Sequence, residues 1–67
     1  MPSLLTRRER EIFELLIQNN STKDIASRLY ISEKTVRNHI SNVMQKLGVI
    51  SRAHALCELL RLKEIEL

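Results

Sequence analysis

The sequence predicts one all-α domain of four helices, at about residues 6–18, 22–29, 33–47 and 52–64. Apolar residues recur at helical spacing in each stretch. With one Phe, one Tyr and no Trp, the core must be built from Leu, Ile and Val, which suits a helical bundle. Gly and Pro occur once each, which argues against disorder and a loop-rich fold. A chain of 67 residues has difficulty burying enough apolar surface alone, so a partner subunit would help.

The positive charge is concentrated in the middle of the chain. Acidic and basic residues cancel in residues 1–20 and in residues 51–67, so residues 21–50 carry the whole net charge of +3. This placement favours a polyanionic partner. The single cysteine cannot form an intramolecular disulfide, and neither a signal peptide nor an apolar stretch of spanning length is present. We therefore expect a cytoplasmic protein without a membrane partner.

The first helix begins at Thr6, which forms a T-x-x-E capping box with Glu9. Pro2 discourages helix in the leader before it. The buried stripe is predicted to contain Ile12, Leu15 and Leu16, widened by Phe13 and Ile17. The opposite face mixes Arg and Glu and is interpreted as a solvated surface. Contact of its first arginines with phosphate is the alternative.

The second helix is capped by Ser21, with Asp24 in the reciprocal position. Its core residues are predicted to be Ile25, Ala26 and Leu29, and Ala26 is small because the two helices of a helix-turn-helix cross closely there. Tyr30 stands where that motif often has Gly. The turn is either left-handed and strained at Tyr30 or of another type, and the sequence leaves both open.

The third helix follows within about three residues, which is the spacing of a helix-turn-helix. Ser32 starts it, and its core stripe is Val36, Ile40, Val43 and Leu47. The far side contains only side chains that form hydrogen bonds and no carboxylate: Lys34, Arg37, Asn38, Ser41, Asn42 and Gln45. Such a surface suits phosphate oxygens and base edges of double-stranded DNA, so this is predicted to be the recognition helix.

The polar residues of this region are predicted to make two kinds of DNA contact. Arg37, Asn38 and Ser41 are predicted to contact bases. Lys34, Thr35 and Lys46 are predicted to contact phosphate, as is Lys23 near the start of the second helix. His39 borders the apolar stripe and is interpreted as a half-buried imidazole rather than a DNA ligand.

The fourth helix begins at Ser51, after Gly48 ends the third. Its core face is predicted to be Ala53, Leu56, Leu59 and Leu60. A second apolar set, Ala55, Leu62 and Ile65, lies away from that face. Because the core of a small bundle cannot cover both faces, the second set is predicted to form a homodimer interface.

Other chemistry is not expected. His54 and Cys57 lie three residues apart, but structural zinc usually takes four ligands in paired spacings, so no metal is predicted. The chain has no Gly-rich phosphate loop and no nucleophile elbow, and it leaves little room for a pocket. An enzyme is excluded, and neither a cofactor nor a small-molecule ligand is expected.

Three stretches, LLTRREREIFELL, STKDIASRLYISEKTVRNHISNVMQKLGV and SRAHALCELL, resemble the DNA-binding domain of the LuxR-type regulators from Leu4 to about Leu62. The resemblance implies a domain of the winged-helix-like superfamily without a wing, which dimerises through its last helix and acts on promoters with RNA polymerase. It places base reading on Arg37, Asn38 and Ser41. It places phosphate contacts on Lys23, Lys34, Thr35 and Lys46.

This chain departs from that pattern at Ser41, where many members carry Lys or Arg, so we expect a different preferred operator. Most members also have an upstream receiver or ligand-binding domain, and none precedes Met1 here. If the chain is complete, its activity is expected to follow its abundance. The rival interpretation is a protein-interaction module that uses the same fold to bind another regulator.

Overall fold

The computed structural model describes residues 3–67 and confirms the all-α prediction for that part of the chain. The helices are α1 (Arg7–Ile17), α2 (Thr22–Leu29), α3 (Glu33–Leu47) and α4 (Arg52–Arg61). The first three agree with the predicted ranges, whereas α4 ends earlier than predicted. Pro2 and its expected effect on the leader lie outside the described residues.

Every helix begins at a hydroxyl side chain. The side-chain oxygens of Thr6, Ser21, Ser32 and Ser51 each accept a hydrogen bond from the backbone N–H three residues later. In α1 and α2 the third helical residue, Glu9 or Asp24, also accepts from the cap's own N–H, which completes both predicted capping boxes. These bonds pair backbone N–H groups that the start of a helix leaves without a partner, so each helix begins at a defined residue directly after a short loop.

The core is formed by apolar side chains from all four helices, with α3 packed against α1, α2 and α4. The largest fully buried side chains are Phe13, Ile12, Ile25, Ile40, Leu59, Val36 and Val43. Val36, Ile40 and Val43 confirm the predicted phase of α3. Because this stripe is held from behind by the other helices, the opposite side of α3 faces solvent.

The prediction for α4 is confirmed for Leu59, which is fully buried, but it was wrong for Ala55 and Ile65. Ala55 is fully buried and Ile65 is 3% exposed, so both belong to the monomer core rather than to a free second face. Ala55 precedes Leu59 by one helical turn and shares its buried side. Lys63 takes a left-handed φ of 59°, which ends the helix and returns Ile65 to the core. Of the predicted interface set only Leu62 is exposed.

The turn between α2 and α3 is left-handed. Tyr30 has φ 58° and ψ 44°, and its N–H donates to the carbonyl of Ala26. Its side chain is 95% exposed, so no packing compensates for this backbone. A non-glycine residue in this region costs about 1–2 kcal/mol. Gly48 takes the same conformation after α3, as predicted for a C-cap, without that cost.

The first and last described segments are joined through Arg10 of α1. The hydroxyl of Ser3 donates to the Glu64 carboxylate at 2.6 Å. The Arg10 guanidinium lies 3.2 Å from the same carboxylate and also donates to the Glu64 carbonyl and the Ser3 hydroxyl. The two ends of the fold are therefore adjacent.

Candidate nucleic-acid interface

The outer face of α3 presents a continuous polar surface. All six side chains predicted to lie there are exposed: Lys34, Arg37, Asn38, Ser41, Asn42 and Gln45. The predicted base-contacting residues Arg37, Asn38 and Ser41 follow an i, i+1, i+4 spacing and so share one side of the helix. The guanidinium of Arg37, the amide of Asn38 and the hydroxyl of Ser41 thereby lie together on α3. The opposite side of this helix is fixed by its packing in the core.

The outer face of α3 was expected to be free of carboxylates, but one carboxylate lies beside it. Glu33, the first residue of α3, lies 3.7 Å from the Arg37 guanidinium, and the two side chains remain 48% and 55% exposed. The helix dipole favours an acidic residue at this position. An exposed i,i+4 pair at that separation is weak, so Arg37 can exchange Glu33 for another acceptor. Glu33 was not counted with the far side of α3, although it lies one helical turn before Arg37 and shares its side of the helix.

Three predicted phosphate ligands lie at the starts of α2 and α3. Lys23 and Lys34 are exposed and have no carboxylate within 4.0 Å among residues 3–67. Thr35 is half-buried, and its hydroxyl oxygen accepts from the Ser32 hydroxyl at 2.9 Å. Its own hydroxyl proton is therefore available to a further acceptor.

Lys46 has a different partner from the one predicted. Its ammonium lies 2.5 Å from Oε1 of Glu9 and donates to the carbonyl of Leu4 at 3.4 Å. The Glu9 side chain is only 5% exposed, and the same oxygen accepts from the Thr6 N–H at 2.9 Å. Lys46 thus neutralises a buried carboxylate and joins the end of α3 to the start of α1. The predicted phosphate contact of Lys46 stays a prediction, and this internal carboxylate competes with it.

Opposing effects act on the pKa of Glu9. Burial disfavours the charged carboxylate and raises its pKa. The hydrogen bonds from Lys46 and from the Thr6 N–H, together with the charge of Lys46, outweigh burial and hold the pKa below its usual value. Glu9 is therefore ionised at neutral pH, as its pairing with an ammonium requires.

One basic residue beside α2 was not predicted. The guanidinium of Arg52, the first residue of α4, donates to the hydroxyl of Thr22 at 3.3 Å. This contact places the start of α4 next to the start of α2, where Lys23 follows Thr22 in the sequence. Sequence reasoning missed it because the partners are thirty residues apart and α4 was considered only for dimerisation.

The exposed side of α4 carries a different apolar stripe from the predicted one. Ala53 and Cys57 are exposed, and Leu56 and Leu60 are half-buried against the core. Their i, i+3, i+4, i+7 spacing places all four on one side of the helix. These residues, rather than Ala55 and Ile65, form the apolar surface that α4 leaves accessible.

His39, His54 and Cys57 show no arrangement for metal binding. His39 is half-buried at the border of the α3 stripe, whereas His54 and Cys57 are exposed on α4. Within residues 3–67 no three His, Cys, Asp or Glu side chains are grouped so that they could hold a metal ion. The same residues contain no helix that combines the length and the hydropathy needed to cross a membrane.

Known proteins share this sequence and fold. Residues 3–59 match the family model for bacterial regulatory proteins of the luxR family. The spore germination protein GerE of Bacillus subtilis (strain 168) is 70% identical over 64 residues, covering 96% of this chain and 86% of that protein. The transcriptional regulatory protein DegU of Brevibacillus brevis is 49% identical over 55 residues, which are 82% of this chain and 23% of DegU.

Solved structures agree with these relationships. The structure of the transcription factor GerE superposes with a TM-score of 0.94 at 66% identity and covers 97% of both chains. The response regulator ChrA of a heme-sensing two-component system superposes with a TM-score of 0.87 at 35% identity. That match covers 97% of this chain and 32% of ChrA. The four-helix arrangement is therefore shared with transcription regulators.

Proposed function

Since the chain belongs to the luxR family of bacterial regulatory proteins, whose helix-turn-helix domain binds DNA to regulate transcription, we propose that it recognises specific DNA sequences through the outer face of α3. It binds double-stranded DNA as a homodimer, inserts α3 into the major groove and needs no cofactor or small-molecule ligand. The observation that carries this proposal is the exposed polar face of α3, backed by the fully buried Val36 and Val43. A helix held in this way can enter a groove without disturbing the core.

Base reading is assigned to Arg37, Asn38 and Ser41. The Arg37 fork matches the two acceptors that guanine presents in the major groove, and the Asn38 amide matches the donor and acceptor of adenine. The Ser41 hydroxyl can serve either base. Since Arg37 leaves only a weak pair with Glu33, the exchange of partners is compatible with binding.

Phosphate contacts are assigned to Lys23, Lys34 and Thr35. Lys23 lies at the start of α2, and the other two lie in the first turn of α3. In helix-turn-helix complexes the first helix crosses the backbone while the recognition helix presents its N-terminal part to the bases. These side chains would therefore meet the strands on both sides of the groove and set the register of α3.

Dimerisation is assigned to the accessible stripe of α4, Ala53, Leu56, Cys57 and Leu60, and Leu62, exposed just after the helix, is kept as a further interface residue. A domain of this size gains stability by covering such a stripe with a second copy. A two-fold pair would also hold two α3 helices at a fixed separation, as an inverted repeat requires.

The target genes are proposed from the relatives. The 70% identity with the spore germination protein GerE supports control of late sporulation or spore-coat genes, in the mother cell of a spore-forming bacterium. The dimer would act with RNA polymerase at these promoters.

Selection of duplexes from a random pool, followed by a salt titration on the selected site, tests DNA recognition. We expect one enriched inverted repeat and an affinity that falls steeply as salt rises, because phosphate contacts release counterions. A protein-interaction module would enrich no sequence and would show no such dependence. That outcome would reject the assignment of α3.

The substitution Cys57→Glu tests the dimer, since Cys57 is exposed in the middle of the stripe. Two introduced charges would face each other across the axis, so sedimentation should show monomers while circular dichroism shows intact helices. Ile50→Glu is the matched control, because Ile50 is 96% exposed in the turn before α4 and lies off the stripe. Equal dimerisation of both variants would place the interface elsewhere.

A further inference from the structure

Resting on the proposed function, we infer that Arg52 of α4 is a further ligand for the DNA backbone and that Thr22 of α2 is its positioning residue. Arg52 would contact a phosphate next to the one contacted by Lys23. The helix assigned to dimerisation would thus also belong to the DNA-binding surface.

The geometry supports this role through one long-range contact. Nη1 of Arg52 lies 3.3 Å from Oγ1 of Thr22, although the residues are 30 positions apart. Thr22 is the first residue of α2, and Lys23 is its neighbour. The hydroxyl therefore holds the guanidinium at the end of α2 that crosses the backbone in helix-turn-helix complexes.

The pairing of Arg52 distinguishes it from the other arginine of α4. Arg61 donates to the Glu58 carboxylate at 2.8 Å, so its charge has an internal counterion. Arg52 has no carboxylate within 4.0 Å among residues 3–67, and it donates to the neutral hydroxyl of Thr22. A guanidinium has five N–H donors, so one bond to Thr22 leaves most of them for a phosphate.

The charged residues in the first turn of α2 are compatible with a phosphate at this place. Asp24 is exposed, but its carboxylate accepts from the Ser21 N–H at 3.0 Å as part of the capping box. The Ser21 backbone and side-chain hydrogen bonds hold the pKa of Asp24 below its usual value. Lys23 and Arg52 together supply two positive charges against this one, so the start of α2 remains net positive.

The experiment compares Arg52→Gln with Arg61→Gln, which remove the same charge from the two ends of α4. Affinity for a duplex of fixed sequence is measured between 50 and 200 mM salt, with circular dichroism as the folding control. The loss of one phosphate contact reduces the slope of log affinity against log salt by about 0.9 per subunit. The parent should therefore lose about 3- to 4-fold more affinity per subunit over this range than Arg52→Gln does.

Two further variants separate charge from position. Arg52→Lys should restore most of the salt slope, because a lysine retains the charge. Thr22→Val should weaken binding at low salt in the parent and leave Arg52→Gln unchanged, because the hydroxyl acts through Arg52. Weakening in both backgrounds would show that Thr22 contacts DNA itself and would overturn its positioning role.

The failure of this inference can be told from the failure of the proposed function. If the parent binds DNA with a steep salt slope and Arg52→Gln matches Arg61→Gln, the Arg52 contact is wrong while DNA recognition stands. If the parent itself shows no salt-dependent binding, both are wrong. Loss of the helical circular dichroism signal in Arg52→Gln would also overturn the proposed phosphate contact, because Arg52 would then be a structural residue.

Discussion

The replacement of Lys46 by Met decides between two roles for this side chain. Met keeps much of the apolar length of Lys but removes the ammonium that lies 2.5 Å from the Glu9 carboxylate. Glu9 is 4% exposed in the parent, and the variant would leave its carboxylate with the Thr6 N–H as the remaining strong donor. We expect Lys46→Met to destabilise the fold rather than to alter DNA binding specifically.

The magnitude follows from the burial of the pair. Removing one partner from a buried ion pair costs about 3–5 kcal/mol, because the remaining charge has lost its counterion. The Lys46 side chain is 35% exposed, so water screens part of the interaction. We therefore expect a loss of about 2–3 kcal/mol, which lowers the Tm of a domain of this size by about 10–20 °C.

The loss should depend on pH through Glu9. In the parent the folded-state pKa of Glu9 is lowered below its ordinary 4.5, so its contribution to stability is fully present above that value. It is lost as pH falls through the lowered pKa. In Lys46→Met burial acts without the ammonium, and the pKa of Glu9 rises relative to the parent. The stability gap between the two proteins should therefore shrink below about pH 5.

Thermal unfolding followed by circular dichroism measures this at pH 7 and at acidic pH. Lys46→Met combined with Glu9→Gln is the control, because a neutral amide in place of the carboxylate should recover part of the loss. A single variant that melts like the parent, yet binds DNA with a reduced salt slope, would refute the reasoning. Lys46 would then be a phosphate ligand after all.

Three further predictions test the core, the reading face and the turn. Ile40→Ala should cost about 2–5 kcal/mol in chemical denaturation, because Ile40 is 2% exposed and its removal leaves a cavity. Arg37→Ala should cost about 1–3 kcal/mol and relax preference at one base pair in competition binding, whereas Lys34→Ala should weaken all sequences alike. Tyr30→Gly should raise the unfolding free energy by about 1 kcal/mol, because glycine relieves the left-handed strain but loses more entropy on folding; a destabilised variant would contradict this.

The fold was predictable where local chemistry determines it. Ser21 and Ser32 start helices through their own side chains, and Gly48 ends one, so these boundaries need no knowledge of the rest of the chain. The phase of α3 was also predictable, because it contains a single apolar stripe. In α4 apolar residues occur on two sides, and the choice between them depends on packing. Ala55 was therefore assigned to the wrong side.

The candidate site shows the same division. The exposure of Arg37 and Asn38 follows from the position of the core stripe on their own helix. The partner of Lys46 does not, since Glu9 lies 37 residues away and reaches it only through the packing of α1 against α3. The burial of Ile65 was equally unpredictable, because it depends on a left-handed backbone at Lys63. That conformation is usually signalled by a glycine, and none is present there.

The Ser3–Glu64 hydrogen bond has a consequence for redesigning the chain. It joins segments 61 residues apart in sequence at a distance of 2.6 Å. A short peptide joining the segment after Glu64 to Ser3 would therefore close the described part of the backbone into a ring. In the chain-entropy model, closing a loop of this length lowers the conformational entropy of the unfolded state and so raises its free energy by about 4 kcal/mol. Backbone cyclisation should thus raise stability while leaving the outer face of α3 unchanged, and a new chain break could then be opened in the turn at Ile50.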